Sequence, residues 1–248
     1  SRFCMVILSR RNPLVKELVS LKDKKGRRER GTFLVEGVKM VREAVAAGLE
    51  VMRLIVREDY AGETYSLPAV TLGADVFAAV SDEKTPQGIA AEVVIPAHAV
   101  QPPKGRCLFL DGLQDPSNVG AIVRTAVAAG YGELYLAGCA DPFSPKSVRA
   151  SMSGVFFARI MQGTREEIFS ALEGVPVLAA DMGGQNAFSF QPPEKFCLAI
   201  GSEGNGLSQE TRTRADFTVR IPMDARCESL NAAVSAGILM YALRREEN

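Results

Sequence analysis

Apolar residues fall into short continuous runs separated by stretches of helical spacing, and the order of the two changes near residue 100. Before that point Pro13–Leu21 has helical spacing, while "TFLVEG" (32–37), "VMRLIVRE" (51–58) and "AAEVVI" (90–95) read as strands. The stretch "GVKMVREAVAAG" (37–48) reads as a helix closed by Gly48 as a C-cap. The pattern predicts a small α/β unit over residues 5–94. "IPAHAVQPPKG" (95–105) holds three prolines and reads as a linker. From residue 106 to 248 strands and helices alternate. "RCLFLDG", "ELYLAG", "VPVLAAD", "FCLAIG" and "DFTVRIPM" are strand-like, whereas "NVGAIVRTAVAAG", "SPKSVRASM", "REEIFSALEG" and "SLNAAVSAGILMYALRR" are helical. Such alternation predicts a parallel sheet covered on both faces.

Ligands of open parallel sheets gather beyond the carboxyl ends of the strands. Four loops at such ends, "DGLQDPSNVG" (111–120), "DMGGQ" (181–185), "GSEGNG" (201–206) and "PMDARCES" (222–229), are rich in Gly, Asp, Ser or Asn. "GSEGNG" has neither the dinucleotide-binding spacing nor a phosphate loop's Lys-Ser/Thr, and it holds no basic residue. A di- or triphosphate would meet no local positive charge there, which favours a ligand with little net negative charge at this loop. A ligand held by backbone N–H and C=O groups fits its glycines, and so does a plain strand-to-helix turn with Glu203 in solvent.

At 248 residues and 47% hydrophobic composition the chain can bury one or two cores. Basic and acidic residues balance at 29 each, but residues 1–30 hold ten Lys/Arg against three acids. This basic end is either an electrostatic footprint for nucleic acid or a solvated arm. Five scattered cysteines and the single histidine, His98, match neither a zinc site nor a disulfide framework, which points to the cytoplasm and to no metal. No run is long enough to span a membrane.

Three separated segments carry a family resemblance. "DPSNVGAIVRTAVAAG" (115–130), "LAIGSEGNGLS" (198–208) and "IPMDARCESLNAAVSAGILMYALRR" (221–245) resemble, in order, the three motifs of the SpoU, or TrmH-like, branch of the SPOUT RNA methyltransferases. "DPFSPKSVRASMSGVFF" resembles the family's connecting segment, and "SRRNPLVKELVSL", "FLVEG" and "TPQGIAA" resemble an L30e/L7Ae-like RNA-binding domain. The resemblance implies a parallel-sheet domain with a deep trefoil knot, S-adenosylmethionine as cofactor, methylation of a ribose 2′-hydroxyl in RNA, and a homodimer. The N-terminal domain type implies 23S rRNA as substrate. The alternatives are a tRNA target and a non-catalytic RNA-binding or ribosome-assembly protein on the same scaffold.

The resemblance also implies roles. Arg124 activates or orients the ribose hydroxyl. Guanidinium stays protonated, so contact with a phosphate or a developing alkoxide is the natural form of that role. Asn118, Glu203, Ser229 and Asn231 complete the catalytic set. Asn118 is also expected to cap its helix and Ser229 the last one, with Glu203 holding Arg124 or Asn118. Ala180, Asp181, Gly201, Ser202, Glu203, Ile221, Met223, Leu230 and Asn231 are the expected cofactor contacts. Arg10, Arg11, Lys16, Arg27, Arg28, Arg30, Lys146 and Arg149 are the expected RNA contacts. Small residues on the last helix (Ala232, Ala233, Ser235, Ala236, Gly237) suit a dimer interface or close packing within one chain. Asp224-Ala225-Arg226 replaces the glycine often found after "IPM", which implies a stiffer loop or a different target contact.

Overall fold

The computed structural model describes residues 5–244, so Arg2, Cys4 and Arg245 of the sequence reading lie outside the described residues. Two compact units divide the chain. One holds the chain up to Pro96 together with Phe143–Phe156, and the other holds Ala97–Pro142 and the chain from Phe157 onward.

In the first unit, strands β1 (Val6–Ile7), β2 (Thr32–Glu36), β3 (Val51–Arg57), β4 (Ala69–Leu72) and β5 (Ile89–Val94) form a mixed sheet in the order β1-β4-β3-β5-β2. Helix α1 (Pro13–Ser20) is capped by the Asn12 side chain, and its Val15 and Leu18 pack with Ile55 of β3 and Leu72 of β4. Helix α4 (Ala74–Val80) joins the same core through Val76, Phe77 and Val80, and α3 (Val38–Ala46) packs on β2 and β5.

The basic end is not an arm. Lys24–Arg30 forms helix α2, a polar helix with no apolar stripe to betray it. It abuts the end of α1 so closely that a Cβ on Gly26 would lie 2.0 Å from the Ser20 carbonyl oxygen. Two expected RNA contacts are committed to this packing. Arg27 is 3% exposed and donates to the Leu21 carbonyl at 2.9 Å. Arg30 donates to Glu92 through Nε (2.8 Å) and Nη2 (3.0 Å) and to Glu17 through Nη1 (2.7 Å). Arg149 is likewise engaged by Asp82 and Glu83. Arg10, Arg11, Lys16, Arg28 and Lys146 are exposed, Arg10 also donating to the Asp75 carbonyl.

The second unit is a six-stranded, wholly parallel sheet. Its strands are β6 (Cys107–Asp111), β7 (Glu133–Ala137), β8 (Arg159–Gln162), β9 (Val177–Asn186), β10 (Cys197–Gly201) and β11 (Phe217–Arg220), in the order β11-β9-β10-β6-β7-β8. Every residue of β6 is buried, as a strand covered on both faces requires. Helix α5 (Pro116–Ala128) follows β6, and α6 (Pro145–Ser151), part of the first unit, lies between β7 and β8 in sequence. Helices α7 (Arg165–Ala171), α8 (Gln209–Arg214) and α9 (Ala232–Ala242) follow, with α9 against α5 and β10. The short strands β1, β4 and β8 and helices α2, α4 and α8 were not expected from the sequence pattern. The polar run "QETRTR" of α8 lacks periodicity. Among the described residues no helix is long and apolar enough to cross a membrane, and no cluster of His, Cys, Asp or Glu could hold a metal ion.

Glu92 is fully buried and holds the first unit's β5, α2 and β3 together. Besides Arg30 it accepts from Thr32 Oγ1 at 2.6 Å and pairs with Arg53 at 3.5 Å. Replacing it by alanine leaves two arginines facing a void, so Glu92→Ala is expected to destabilise by about 3 kcal/mol. Urea denaturation followed by circular dichroism measures this, and an unchanged midpoint would remove Glu92 from the framework.

Candidate active site

The three resembling segments meet at one buried side chain. Asn118 donates through Nδ2 to Glu203 Oε1 at 2.6 Å and accepts at Oδ1 from Asn231 Nδ2 at 3.1 Å. Asn231 Oδ1 in turn accepts from the backbone N–H groups of Ala233 (2.9 Å) and Val234 (3.1 Å), which caps α9. A continuous hydrogen-bonded chain therefore runs from the β10 loop through α5 to the start of α9.

This geometry corrects two capping expectations. Asn118 sits inside α5, whose cap is Asp115, accepting from Ser117 N at 2.8 Å with Pro116 in the first turn. Its amide is thereby free to bond across the fold. Asn231, not Ser229, caps α9, and Ser229 stays exposed two residues before it. Glu203 binds Asn118 and not Arg124. Arg124 lies six residues further along α5, exposed, with no hydrogen bond or ion pair to any described residue.

Beside the chain lies a cleft of about 210 Å³. It is lined by Ala180, Asp181, Gly201, Ser202, Glu203, Ile221, Met223 and Leu230 among the expected cofactor contacts, and by Ser229. Asn231 and Arg124 are not among its lining residues. The cleft also draws in residues the sequence reading did not single out, Met182, Ile200, Gly206, Val219, Arg220 and Leu239, and Ala232 and Ser235, which it gave to helix packing. Apolar strand ends thus form much of the wall, with hydroxyls and charged groups at intervals, as in small-molecule sites generally.

Two backbone features shape the walls. The "GSEGNG" loop closes as a tight turn in which Ser202 N donates to Gly206 O (3.1 Å) and Gly206 N to Ser202 O (3.0 Å). A Cβ on Gly201 would fall 2.2 Å from the Gly206 carbonyl carbon, and Gly206 holds φ +66°. These two glycines serve the loop's own closure; Gly204 has neither a crowded Cβ position nor a positive φ. On the opposite wall, β11 pairs with Ala179 and then jumps to Gln185, so that residues 180–184 loop out of the pairing. A Cβ on Gly184 would lie 2.5 Å from the Thr218 carbonyl carbon.

Charged residues tie these walls down. Asp111, buried at the end of β6, accepts from Ser208 N (2.8 Å), Ser208 Oγ (2.7 Å), Thr211 Oγ1 (2.8 Å) and Arg165 Nε (2.8 Å). Burial alone would raise its pKa, but these hydrogen bonds outweigh it and hold the carboxyl below its ordinary value. Its contribution to stability is therefore present above the unfolded-state pKa and lost as pH falls through the lower folded value. From α8, Arg212 donates through Nε to the Leu207 carbonyl at 3.3 Å and reaches Asp181 through Nη1, joining the two walls. Asp181 also accepts from Gly183 N at 3.0 Å, the leading cause of its lowered pKa. Asp224 accepts from Arg226 N (2.9 Å), Nε (3.0 Å) and Nη2 (3.0 Å), so the "DAR" stretch closes on itself.

A wholly parallel sheet with a cleft at its strand ends, where three sequence motifs are joined by side-chain hydrogen bonds, has the architecture of a small-molecule-binding α/β domain. Residues 105–241 match the SpoU rRNA Methylase family and residues 12–91 the MRM3-like substrate binding domain. The chain belongs to the SpoU rRNA methylase family. It is 33% identical, over 96% of its length and 98% of the relative's, to the 23S rRNA (guanosine(2553)-2'-O)-methyltransferase RlmP of Bacillus subtilis (strain 168). It is 31% identical, over 96% and 92% of the two chains, to the 23S rRNA (uridine(2479)-2'-O)-methyltransferase of Streptomyces viridochromogenes. Among solved structures, that of the SpoU methyltransferase AviRb from Streptomyces viridochromogenes in complex with the cofactor AdoMet superposes with a TM-score of 0.87. It is 28% identical and covers 94% of this chain and 97% of that one.

The crowding at Gly201 makes a direct prediction. In Gly201→Ala the loop must shift by about 1 Å, so affinity for S-adenosylhomocysteine is expected to fall roughly tenfold or more while the circular dichroism spectrum is kept. Calorimetric titration checks this, and unaltered affinity would show that the Ser202–Gly206 turn does not shape the binding site.

Proposed function

We propose that this protein methylates a ribose 2′-hydroxyl in 23S rRNA, with S-adenosylmethionine bound in the cleft beside Asn118. The observation that carries this reading is the chain Glu203–Asn118–Asn231, which makes the three motifs one site. The cleft suits the cofactor chemically. Apolar strand ends can cover an adenosine, and backbone groups of the glycine turn can meet its polar edge. Gly201, Ser202, Ile221, Met223 and Leu230 would hold it, with Ala180 and Asp181 on the facing wall. When bound, S-adenosylmethionine supplies an electrophilic methyl group on a sulfonium centre.

The residues of the chain position and desolvate. Asn118 fixes the Glu203 loop and the start of α9, which sets Ser229 and Asn231 at the edge of the cleft. Arg124 stands off the cleft with its guanidinium uncommitted, a location suited to the phosphate next to the target ribose, where it would also stabilise a developing alkoxide. The exposed Arg11, Lys16, Arg28 and Lys146 supply phosphate contacts without sequence readout. The 23S rRNA assignment rests on relatives that match over nearly the whole chain and on the MRM3-like substrate binding domain. The proposed place of action is the cytoplasm.

The same reading includes a homodimer and a knotted C-terminal chain. Helix α9 is apolar on nearly all sides, and its outward Val234 and Tyr241 are 51% and 50% exposed, which suits a second copy packing there. The knot rests on membership of the SpoU rRNA methylase family.

Transfer of a labelled methyl group to RNA from a strain lacking the protein tests the reaction. Label is expected on a 2′-O-methyl nucleoside of 23S rRNA. Asn118→Ala is expected to lose transfer and cofactor affinity together. Arg124→Ala is expected to lose about a hundredfold in transfer while still binding cofactor, because it lies off the cleft. Label on a base, or none on any RNA or ribosomal particle, would refute the assignment.

A further inference from the structure

The charges around the cleft are few, and all but one are already spoken for. Asp181, Glu203 and Arg220 are the charged residues lining it. Asp181 is engaged by Gly183 N and by Arg212, and Glu203 by Asn118. Arg220 is the last residue of β11. Its carbonyl accepts from Ala187 N at 2.9 Å, which ties its main chain to the end of β9. Its side chain makes no hydrogen bond or ion pair with any described residue.

Two other anion-binding groups near the cleft are occupied. The amide groups at the start of α9, a natural anion site, are capped by Asn231 Oδ1. Ser202 Oγ donates to the Gly206 carbonyl at 3.5 Å within its own turn. With both carboxylates engaged, Arg220 is the one charged side chain lining the cleft with no partner among the described residues, which suits an anionic group of the ligand. S-adenosylmethionine carries a sulfonium, an ammonium and a carboxylate. A carboxylate brought into this cleft without a partner would lose hydration uncompensated, and a guanidinium meets it with a charge-assisted, two-pronged hydrogen bond.

We propose that Arg220 forms the carboxylate subsite of the cleft and holds the amino-acid tail of the cofactor. This rests on the cofactor reading above. It makes Arg220 a selector for ligands that keep the tail over those that carry only the adenosine part. It also accounts for a cation at a site whose glycine-rich loop has none.

The test is calorimetric titration of wild type, Arg220→Ala and Arg220→Lys with two ligands. S-adenosylhomocysteine has the amino-acid tail, and 5′-methylthioadenosine keeps the adenosine and thioether without it. Arg220→Ala is expected to weaken S-adenosylhomocysteine about ten- to a hundredfold, the value of a hydrogen bond to a charged group, and to leave 5′-methylthioadenosine unchanged. Arg220→Lys is expected to recover part of the loss, since it keeps the charge without the fork. Equal weakening of both ligands would overturn the proposal by showing that Arg220 only shapes the cleft, and unchanged affinity for both would overturn it outright. Failure of the wild type to bind S-adenosylhomocysteine at all would overturn the cofactor reading itself, and the subsite with it.

Discussion

A buried side-chain amide has hydrogen-bonding capacity on both its oxygen and its nitrogen, and leaving either unmet costs free energy on the order of 1–3 kcal/mol. Asn118 is such a group. Its amide is satisfied only when the loop after β10 brings Glu203 to its nitrogen and the start of α9 brings Asn231 to its oxygen. Segments separated by 85 and 113 positions are thereby registered against one another. A shift in either would leave a polar group in the interior without a partner. The cleft lies between the pieces that this residue joins, so its shape follows from the same condition.

The joint works because its supports are anchored independently. Asp111 fixes the start of α8 from below the sheet's carboxyl edge, and Arg212 then spans from that helix to the Leu207 carbonyl and to Asp181. The β10 loop and the residue 180–184 excursion face each other across the cleft under the control of one short helix. An exposed ion pair alone contributes little. Here the guanidinium also bonds a backbone carbonyl, and its value lies in fixing geometry rather than in stability. Holding the two loops this way needs close main-chain approach within the protein, which is why Gly201 and Gly184 sit where any side chain would collide with peptide groups.

Much of the second unit was legible in the sequence because its strands are continuous apolar runs, α5 carries an apolar stripe and α9 is apolar nearly all round. Helices α2 and α8 were not, since neither has an apolar stripe. What holds them is distant in sequence: Glu92 against Arg30, and Asp111 against Ser208 and Thr211. The motif residues were recognisable by resemblance, but not which of them touch. Asp115-Pro116 is itself a readable helix start. Taking it as the start places Asn118 inside α5, where its amide can be spent on Glu203 and Asn231. Ser229 and Asn231 are both competent caps, and only the bond to Asn118 selects Asn231. Asp111, Arg212 and Arg220 are single charges in otherwise unremarkable segments, and only their three-dimensional partners, or the lack of them, give them meaning.

On the proposed function, the Glu203–Asn118–Asn231 chain builds the cofactor site. A crystal structure with S-adenosylhomocysteine bound is the decisive measurement. The ligand is expected between residues 180–182, 200–206 and 219–223 and the start of α9, with the Glu203–Asn118–Asn231 chain intact. Ligand bound elsewhere, or bound here with the Asn118 amide turned away from both partners, would contradict it.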